Sequence, residues 1–241
     1  MKHFGLIGYP LSHSFSERFF TEKFVASGVE ATYRTIELHG LDALNEVIEH
    51  YSLDGFNVTI PYKEKILNYL DEIDPVANEI EAVNCVKVTN GILSGYNTDH
   101  IGFERSLISL IHRSKPSALI FGNGGAARAV KYVLEKLHIP YKVVTRNDTK
   151  ETLSYIDINE AILTEYTLLI NTTPIGMYPS VHEKLPLPYH FLNKSHFAFD
   201  LIYNPETTSF LKACQKHGAT ILNGYDMLIE QAEESFTIFL S

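Results

Sequence analysis

The amino-acid sequence predicts an α/β fold with two different halves. Short apolar runs alternate with amphipathic runs along all 241 residues, which is typical of α/β proteins. After Lys115-Pro116 a compact apolar run leads directly into a glycine-rich turn and a helix, the pattern of a nucleotide-type βαβ unit. Since the first half is richer in strands, we predict a boundary near residue 100.

The first half predicts strands separated by helices and closed by a hairpin. Asn90-Gly91 lies between two short runs and favours a two-residue turn, because both central residues need a positive φ. Gly28 ends the first helix, and Pro75 follows the third. The predicted strands are His3–Ile7, Thr32–Leu38, Gly55–Ile60, Cys85–Thr89 and Ile92–Tyr96. The predicted helices are Phe15–Ala26, Leu41–His50, Glu64–Ile73 and residues 100–113.

The second half alternates strands with helices. A helix follows the glycine-rich turn, another covers Thr207–His217, and Tyr225–Leu240 is an amphipathic final helix. The predicted strands are Ser117–Phe121, Tyr141–Thr145, Tyr166–Ile170, Ala198–Ile202 and Ala219–Leu222. This order indicates a parallel sheet of the dinucleotide-binding kind.

The composition excludes several classes of function. The net charge of −9 argues against binding to nucleic acid or to an anionic membrane surface. Cys85 and Cys214 lie far apart and the histidines show no ligand spacing, so we predict neither a metal site nor a disulfide framework. No stretch has the length of a membrane span, and the N-terminus turns polar too early for a secretory signal, so we expect a cytoplasmic protein.

The glycine-rich turn reads Gly122-x-Gly124-x-x-Ala127, directly after a strand and at the start of a helix. In that context Gly122 permits the tight turn, Gly124 lets the backbone approach a pyrophosphate, and Ala127 allows close helix packing. The helix N-terminus then offers free N–H groups to phosphate. The alternative is an ordinary glycine-rich βα turn.

The next strand ends in VVTRND, where an NAD site would normally place an acid for the ribose hydroxyls. Thr145 and Arg146 come first here, and Asp148 follows later. An arginine at this point suits a 2′-phosphate, so the sequence favours NADP. The alternative is an exposed loop arginine.

The segment YPLSHSFSERFF, residues 9–20, leads into the first helix, and Ser14 with Glu17 fits the S-x-x-E capping box. A helix N-terminus also suits a carboxylate, because it carries spare N–H donors and partial positive charge. A serine hydroxyl has one donor and two acceptor sites, so Ser14 can cap the helix and still donate to a ligand. Either Ser14 or Ser16 could be the N-cap.

Ordered motifs over nearly the whole chain resemble the shikimate dehydrogenase family. In the first half they are Gly8-x-Pro10, His13-Ser14-x-Ser16, Asn57-Val58-Thr59-Ile60-Pro61-x-Lys63, Ala82-Val83-Asn84 and Gly95-x-Asn97-Thr98-Asp99. In the second half they are Gly122-x-Gly124-Gly125-Ala126, Asn171-Thr172-Thr173-Pro174-x-Gly176-Met177, Asp200-x-x-Tyr203-x-Pro205, Asn223-Gly224-x-x-Met227 and Gln231.

The resemblance implies an NADP-dependent enzyme that reduces 3-dehydroshikimate to shikimate in aromatic amino-acid biosynthesis. It implies a substrate domain with a mixed sheet, residues 1–100 and 225–241, whose last helix packs back on the N-terminal half. Residues 101–224 would form the Rossmann-type NADP-binding domain. The enzyme would act on a small-molecule substrate, shikimate or 3-dehydroshikimate, and would be a monomer or homodimer.

The resemblance also implies site residues by position. Lys63 and Asp99 would be catalytic. The substrate-binding residues would be Ser14, Ser16, Thr59, Lys63, Asn84, Asp99, Tyr203 and Gln231. The cofactor-binding residues would be Gly122, Asn123, Gly124, Gly125, Ala126, Thr145, Arg146, Asn171, Thr172, Gly224 and Met227.

Five positions depart from the family's usual pattern. Glu17 replaces a proline, Phe20 replaces a histidine, and Asn123 stands where alanine is usual. The family's N-R-T cofactor triplet reads Thr145-Arg146-Asn147 here. This triplet keeps open a quinate/shikimate dehydrogenase that uses NAD or NADP, and a non-catalytic dinucleotide or metabolite sensor is the alternative from another class.

Reduction of a ketone explains why such a site needs a lysine beside an aspartate. Hydride transfer creates an alkoxide that needs a proton, and the cofactor supplies only the hydride. Lys63 can donate that proton, or its positive charge can stabilise the developing oxyanion while Asp99 orients it. The sequence leaves both roles open.

Overall fold

The computed structural model describes residues 1–11, 15–146 and 152–241, which form twelve strands and eight α-helices. The strands are β1 Lys2–Gly8, β2 Ala31–Glu37, β3 Gly55–Val58, β4 Glu72–Ile73, β5 Cys85–Thr89, β6 Ile92–Tyr96, β7 Ala118–Phe121, β8 Tyr141–Thr145, β9 Thr152–Ser154, β10 Leu168–Asn171, β11 Phe197–Asp200 and β12 Thr220–Leu222. The helices are α1 Phe15–Ala26, α2 Leu44–Tyr51, α3 Pro75–Ile80, α4 Asp99–Ile111, α5 Gly125–Lys136, α6 Glu160–Glu165, α7 Ser209–Lys216 and α8 Tyr225–Leu240. The predicted α/β class is confirmed.

The chain divides into two compact units. The first unit contains Met1–Asp99 and Gln231–Ser241, and the second contains His100–Glu230. Helix α8 runs through both ranges, whereas the sequence reading assigned all of it to the first. Its start packs in the second unit through Met227, and its end packs in the first unit through Ala232 and Phe239.

The first unit is built on a mixed six-stranded sheet of order β2-β1-β3-β5-β6-β4. Strand β1 pairs in parallel with β2 and β3, while β5 pairs antiparallel with β3 and β6. At the β5–β6 turn, Asn90 has φ 53° and Gly91 has φ 81°, so the predicted hairpin is confirmed. Two apolar clusters pack against this sheet, one with Ile7, Phe56 and Val58, and the other with Phe4, Phe20 and Phe239.

The second unit is built on an all-parallel sheet of order β12-β11-β10-β7-β8-β9. Its strands are buried on both faces, since Leu168 and Ile170 join one apolar cluster and Leu169 joins the other. Read from β9, the order is that of a Rossmann sheet, and it reverses between β7 and β10. Ligands of such sheets bind beyond the carboxyl ends of the strands at that reversal.

The predicted helix over Glu64–Ile73 is wrong. That segment is a 3₁₀ helix over Lys65–Tyr69 followed by β4, which pairs in parallel with β6. The α-helix begins only at Pro75, because the Asp74 side chain accepts hydrogen bonds from the N–H groups of Val76 and Ala77. Proline at the first helical position needs no N–H partner, so the Asp-Pro pair starts a helix here.

The sequence reading also missed β9 and α6. Strand β9 has three residues and lies at the sheet edge beside β8, so it carries little apolar pattern of its own. Helix α6 has six residues and is capped by the Asn159 side chain, which accepts from Ile162 N at 3.2 Å.

Among the described residues, no helix has both the length and the apolar character to span a membrane.

Candidate active site

A lysine–aspartate ion pair lies in the first unit. Lys63 follows the turn after β3, and Asp99 is the first residue of α4. Lys63 Nζ donates to Asp99 Oδ2 at 2.6 Å, with 18% of the lysine side chain and 8% of the aspartate side chain exposed. Two opposite charges this close and this sheltered hold each other in a fixed geometry.

Asn84 joins this pair to the last helix. Its Nδ2 donates to Asp99 Oδ1 at 2.9 Å and lies 3.3 Å from Gln231 Oε1 on α8. Its backbone N–H donates to Tyr96 O, and its carbonyl accepts from Val58 N, so the strand ends fix its position. Four predicted site residues, Lys63, Asn84, Asp99 and Gln231, therefore lie within one hydrogen-bonded group.

A buried polar network extends this group into the core. Tyr33 OH donates to Asn57 Oδ1 at 2.8 Å, and Asn57 Nδ2 donates to Ser235 Oγ at 2.9 Å. Ser235 Oγ lies 3.1 Å from Thr98 Oγ1, which in turn accepts from Asn84 Nδ2 at 2.9 Å. Asn57 and Tyr33 are 5% exposed, and Thr98 and Ser235 are fully buried. Burial is the main cause that raises the pKa of Tyr33 well above its ordinary value, so its hydroxyl stays protonated as a donor.

The predicted substrate-binding residues near the N-terminus have separate outcomes. Ser14 lies outside the described residues. Ser16 lies in the first turn of α1 and is half-buried, and a hydrogen bond from its side chain lowers the pKa of Tyr33 against the larger effect of burial. Thr59 directly follows β3 and is half-buried, and its N–H donates to Ile7 O at 2.9 Å. A Cβ on Gly8 would lie 2.4 Å from Thr59 Cγ2, so only glycine allows these two strand ends to approach.

The glycine loop of the second unit joins β7 to α5. Gly122 has φ +108°, and a Cβ there would lie 2.6 Å from Thr172 Oγ1. Both the backbone conformation and the neighbouring strand end therefore require glycine. This places the loop at the reversal between β7 and β10.

The start of α5 fits a phosphate group. Gly124 is the N-cap with an extended backbone and contributes no capping side chain, and a Cβ on it would meet nothing within 4 Å. Gly125 and Ala126 form the first turn, whose N–H groups have no intrahelical acceptor. A dinucleotide pyrophosphate can therefore approach the backbone and accept from these donors.

Thr145 and Arg146 lie at the carboxyl end of β8. Thr145 is the last residue of the strand, and its Oγ1 lies 3.3 Å from Thr152 Oγ1 on β9. Arg146 is exposed, and its charge acts to lower the pKa of Tyr155, although burial raises that pKa by more. The third residue of the triplet, Asn147, lies outside the described residues.

Asn171 and Thr172 shape the loop after β10. Asn171 Nδ2 donates to Asp200 Oδ1 at 3.0 Å, and its Oδ1 accepts from the N–H of Thr173 at 3.0 Å. Thr172 Oγ1 donates to Phe121 O at 2.8 Å. Both predicted cofactor-binding side chains therefore form hydrogen bonds to neighbouring strand ends. These bonds fix the position of the loop beside the glycine turn.

Asp200 is the buried acid of this loop system. Its carboxylate accepts from Thr208 Oγ1 at 2.6 Å and from Ile202 N at 3.1 Å, in addition to Asn171. Burial nevertheless raises the pKa of Asp200 from 3.8 to about 6. Asp200 was predicted only as part of a motif, yet it joins the ends of β10 and β11 to the start of α7.

Three predicted residues near the end of the second unit differ in exposure. Tyr203 is 37% exposed, whereas Met227 is 8% exposed and packs in an apolar cluster. A Cβ on Gly224 would lie 2.0 Å from Leu201 O, so glycine is required there by close backbone approach. Gly224 N donates to Ile202 O at 3.1 Å, which ties the start of α8 to the end of β11.

Sequence reasoning missed two members of the buried network as site residues. Ser235 lies one helical turn after Gln231 on α8, and this i, i+4 spacing was its available signal. Tyr33 carried no comparable signal, since an aromatic residue in a strand is typical of core packing. Among the described residues, no group of three or more histidine, cysteine or acidic side chains could hold a metal ion.

The strand order and the glycine loop of the second unit define a dinucleotide-binding protein of the Rossmann class. The lysine–aspartate pair of the first unit has the chemical groups that acid–base catalysis in a dehydrogenase would use. A family model, "Shikimate dehydrogenase substrate binding domain", matches residues 6–86. A curated relative from Methanococcus maripaludis, "Shikimate dehydrogenase (NADP(+))", is 37% identical over 99% of this chain and 91% of its own length. The chain belongs to the shikimate dehydrogenase family, as its motifs predicted.

Two solved structures extend the comparison. A shikimate dehydrogenase in complex with NADP⁺ has a TM-score of 0.86 and 36% identity, covering 99% of this chain and 89% of that one. A quinate dehydrogenase from Corynebacterium glutamicum in complex with NAD has a TM-score of 0.87 and 28% identity, covering 99% and 93%. The fold is therefore shared by relatives that are named for different substrates and are bound to different cofactors.

Proposed function

We propose that this protein is an NADP-dependent shikimate dehydrogenase, which reversibly reduces 3-dehydroshikimate to shikimate in chorismate and aromatic amino-acid biosynthesis. The observation that carries the proposal is the Lys63–Asp99 pair, within the Asn84–Gln231 group of a chain that belongs to this family. When bound, NADPH supplies the hydride.

Lys63 manages the charge and the proton of the reacting oxygen. Its ammonium carries positive charge to an alkoxide that develops at the carbonyl, and it has N–H bonds beyond the one directed at Asp99 Oδ2. Asp99 orients Lys63 and is itself held by Asn84. The pair therefore acts as a positioned acid whose geometry is set before substrate arrives.

The remaining first-unit residues bind the polar groups of the substrate. Ser14 and Ser16 bind the carboxylate near the N-terminus of α1, where spare N–H donors and the helix dipole favour an anion. Thr59, Asn84, Asp99 and Gln231 bind the hydroxyl groups, since together they offer both donors and acceptors. Tyr203 is a further substrate-binding residue that the family resemblance implies.

The second unit binds NADP. Gly122, Asn123, Gly124, Gly125 and Ala126 bind the pyrophosphate through their backbone, and Arg146 binds the 2′-phosphate with Thr145 beside it. Asn171 and Thr172 position the adjoining loop through their contacts with Asp200 and Phe121. Gly224 and Met227 contribute to the nicotinamide region.

A steady-state assay tests the proposal. Purified protein is given shikimate with NADP⁺, and NADPH formation is followed by absorbance, with 3-dehydroshikimate and NADPH as the reverse reaction. We expect turnover in both directions. Dinucleotide binding without any turnover would reject the enzyme and favour the sensor alternative.

A second candidate keeps the chemistry and changes the ligands. The structural likeness to a quinate dehydrogenase in complex with NAD, together with the altered Thr145-Arg146-Asn147 triplet, favours a quinate/shikimate dehydrogenase that uses NAD or NADP. The two candidates are separated by kcat/KM for the four substrate–cofactor pairs. We expect shikimate with NADP⁺ to be highest, and a higher value for quinate with NAD⁺ would favour the second candidate.

We place the enzyme in the cytoplasm, as a monomer or homodimer whose ligands are small molecules. The acidic balance of the chain supports the absence of nucleic-acid and membrane partners. Light scattering of the purified protein distinguishes the two oligomeric states. Cell fractionation tests the location.

A further inference from the structure

One cation of α5 is held against the glycine loop. Lys131 Nζ donates to Asn123 Oδ1, the side chain at the position where the family usually has alanine. Asn123 and Gly124 are exposed, and Lys131 is half-buried. Helical side chains lean toward the helix N-terminus, which is how a residue in the second turn of α5 reaches back to the loop.

A second cation lies beside Lys131 on α5. Arg128 lies three residues earlier and so on the same side of the helix. Burial and the charge of Arg128 lower the pKa of Lys131, and Glu135 acts in the opposite direction with a smaller effect. Two cations of α5, Arg128 and Lys131, therefore lie close to the N-terminus of the helix, which has no side-chain cap.

The hydrogen-bond partner of Lys131 is a neutral side chain. A carboxylate would neutralise the ammonium, whereas the Asn123 carboxamide fixes its position and leaves its charge in place. An ammonium has three N–H donors, of which Asn123 takes one. Such an arrangement suits an anion that arrives at Gly124, the loop position with open space around it.

We propose that Lys131 binds the pyrophosphate of the dinucleotide, held in position over the glycine loop by Asn123. This inference rests on the proposed function, because it assumes that the loop binds NADP. It assigns separate phosphates to separate cations, since Arg146 lies at the end of a different element, β8. Lys131 is then a binding residue, and Asn123 acts through it as a positioning residue.

The test compares dissociation constants of NADP⁺ and NAD⁺, measured by calorimetry, for wild type and variants that remove one contact each. Both cofactors carry the pyrophosphate, so we expect Lys131→Met to weaken both by about tenfold, which corresponds to about 1.4 kcal/mol. Asn123→Ala should weaken both by a smaller factor, and should have no further effect in the Lys131→Met background.

The matched control is Lys136→Met, which removes the same charge from the same helix about 7.5 Å further along its axis. Lys136 pairs with Glu104 at 2.7 Å, and this variant should bind both cofactors as wild type does. Unchanged affinity of Lys131→Met for both cofactors, or a loss confined to NADP⁺, would overturn the inference. Failure of wild type to bind either cofactor would instead reject the proposed function, so the two failures are distinct.

Discussion

Replacement of Lys63 by alanine tests the reasoning about the acid–base pair most directly. The variant removes the ammonium that donates to Asp99 Oδ2 at 2.6 Å. A positioned general acid contributes about 10²–10⁴-fold to a rate, or about 3–5 kcal/mol of the barrier. We therefore expect kcat to fall by about 10²–10⁴-fold, while KM for shikimate changes by a much smaller factor.

The same variant carries a stability cost that must be measured separately. At 2.6 Å and an effective dielectric constant of about 20, the attraction of the pair is about 6 kcal/mol before the opposing cost of desolvation. Loss of one partner leaves the Asp99 carboxylate sheltered without its counter-charge, which in buried pairs costs about 3–5 kcal/mol. Since Asn84 still donates to Asp99, we expect about 3 kcal/mol by urea unfolding.

Two variants make the result interpretable. Lys65→Ala is the matched control, because Lys65 is exposed, lies two residues away and carries the same charge. Lys63→Arg keeps the positive charge but cannot give up a proton near neutral pH. If Lys63 donates the proton, arginine should be nearly as poor as alanine; if its charge is what matters, arginine should recover part of the loss. Turnover of Lys63→Ala within tenfold of wild type would refute the catalytic role.

Three further predictions concern buried positions. Ser235→Ala removes a hydrogen-bond partner from Asn57 Nδ2 and from Thr98 Oγ1 in the core, so the free energy of unfolding should fall by about 1–3 kcal/mol. A loss below about 0.5 kcal/mol in urea unfolding would contradict the network. Gly224→Ala places a Cβ 2.0 Å from Leu201 O and should lower the free energy of unfolding by more than about 3 kcal/mol. The control is Gly40→Ala, whose Cβ meets only a side-chain oxygen at 3.9 Å and whose free energy of unfolding should stay within about 0.5 kcal/mol of wild type by thermal unfolding. Burial raises the pKa of Asp200 from 3.8 to about 6, so the stabilisation that comes from its protonated form is fully present below pH about 4 and is lost as the pH rises through 6. The free energy of unfolding of wild type should therefore fall by up to about 3 kcal/mol relative to that of Asp200→Asn over this range, as measured by urea titrations. Parallel pH profiles of the two proteins would exclude the effect.

The sequence predicted those parts of the fold that depend on a few neighbouring residues. The Asn90-Gly91 turn, the helix over Phe15–Ala26 and the strand before Gly122 follow from backbone conformation and hydrophobic period, so the sequence sufficed for each. The segment Glu64–Ile73 failed because its apolar spacing resembles a helix. Its last two residues instead pair with β6, and that contact is absent from the local pattern.

The candidate site divides along a similar line. Motifs indicated which residue types belong together, and Lys63, Asn84, Asp99 and Gln231 do lie in one hydrogen-bonded group. Ser235 was missed as a member of that group's network, because its i, i+4 spacing from Gln231 shows only that the two residues share a helix face and does not identify the side chains that Ser235 contacts.

The sequence by itself determined the α/β class, the glycine loop and the family, because these rest on short-range periods and ordered motifs. Only the tertiary structure decided what each polar group contacts. It put the Lys63 ammonium on the Asp99 carboxylate, committed Asn171 to Asp200, and held Lys131 against Asn123. The physical reason is that hydrogen bonds and ion pairs act over about 3 Å, and the partners they join here stand 8 to 36 residues apart in the chain.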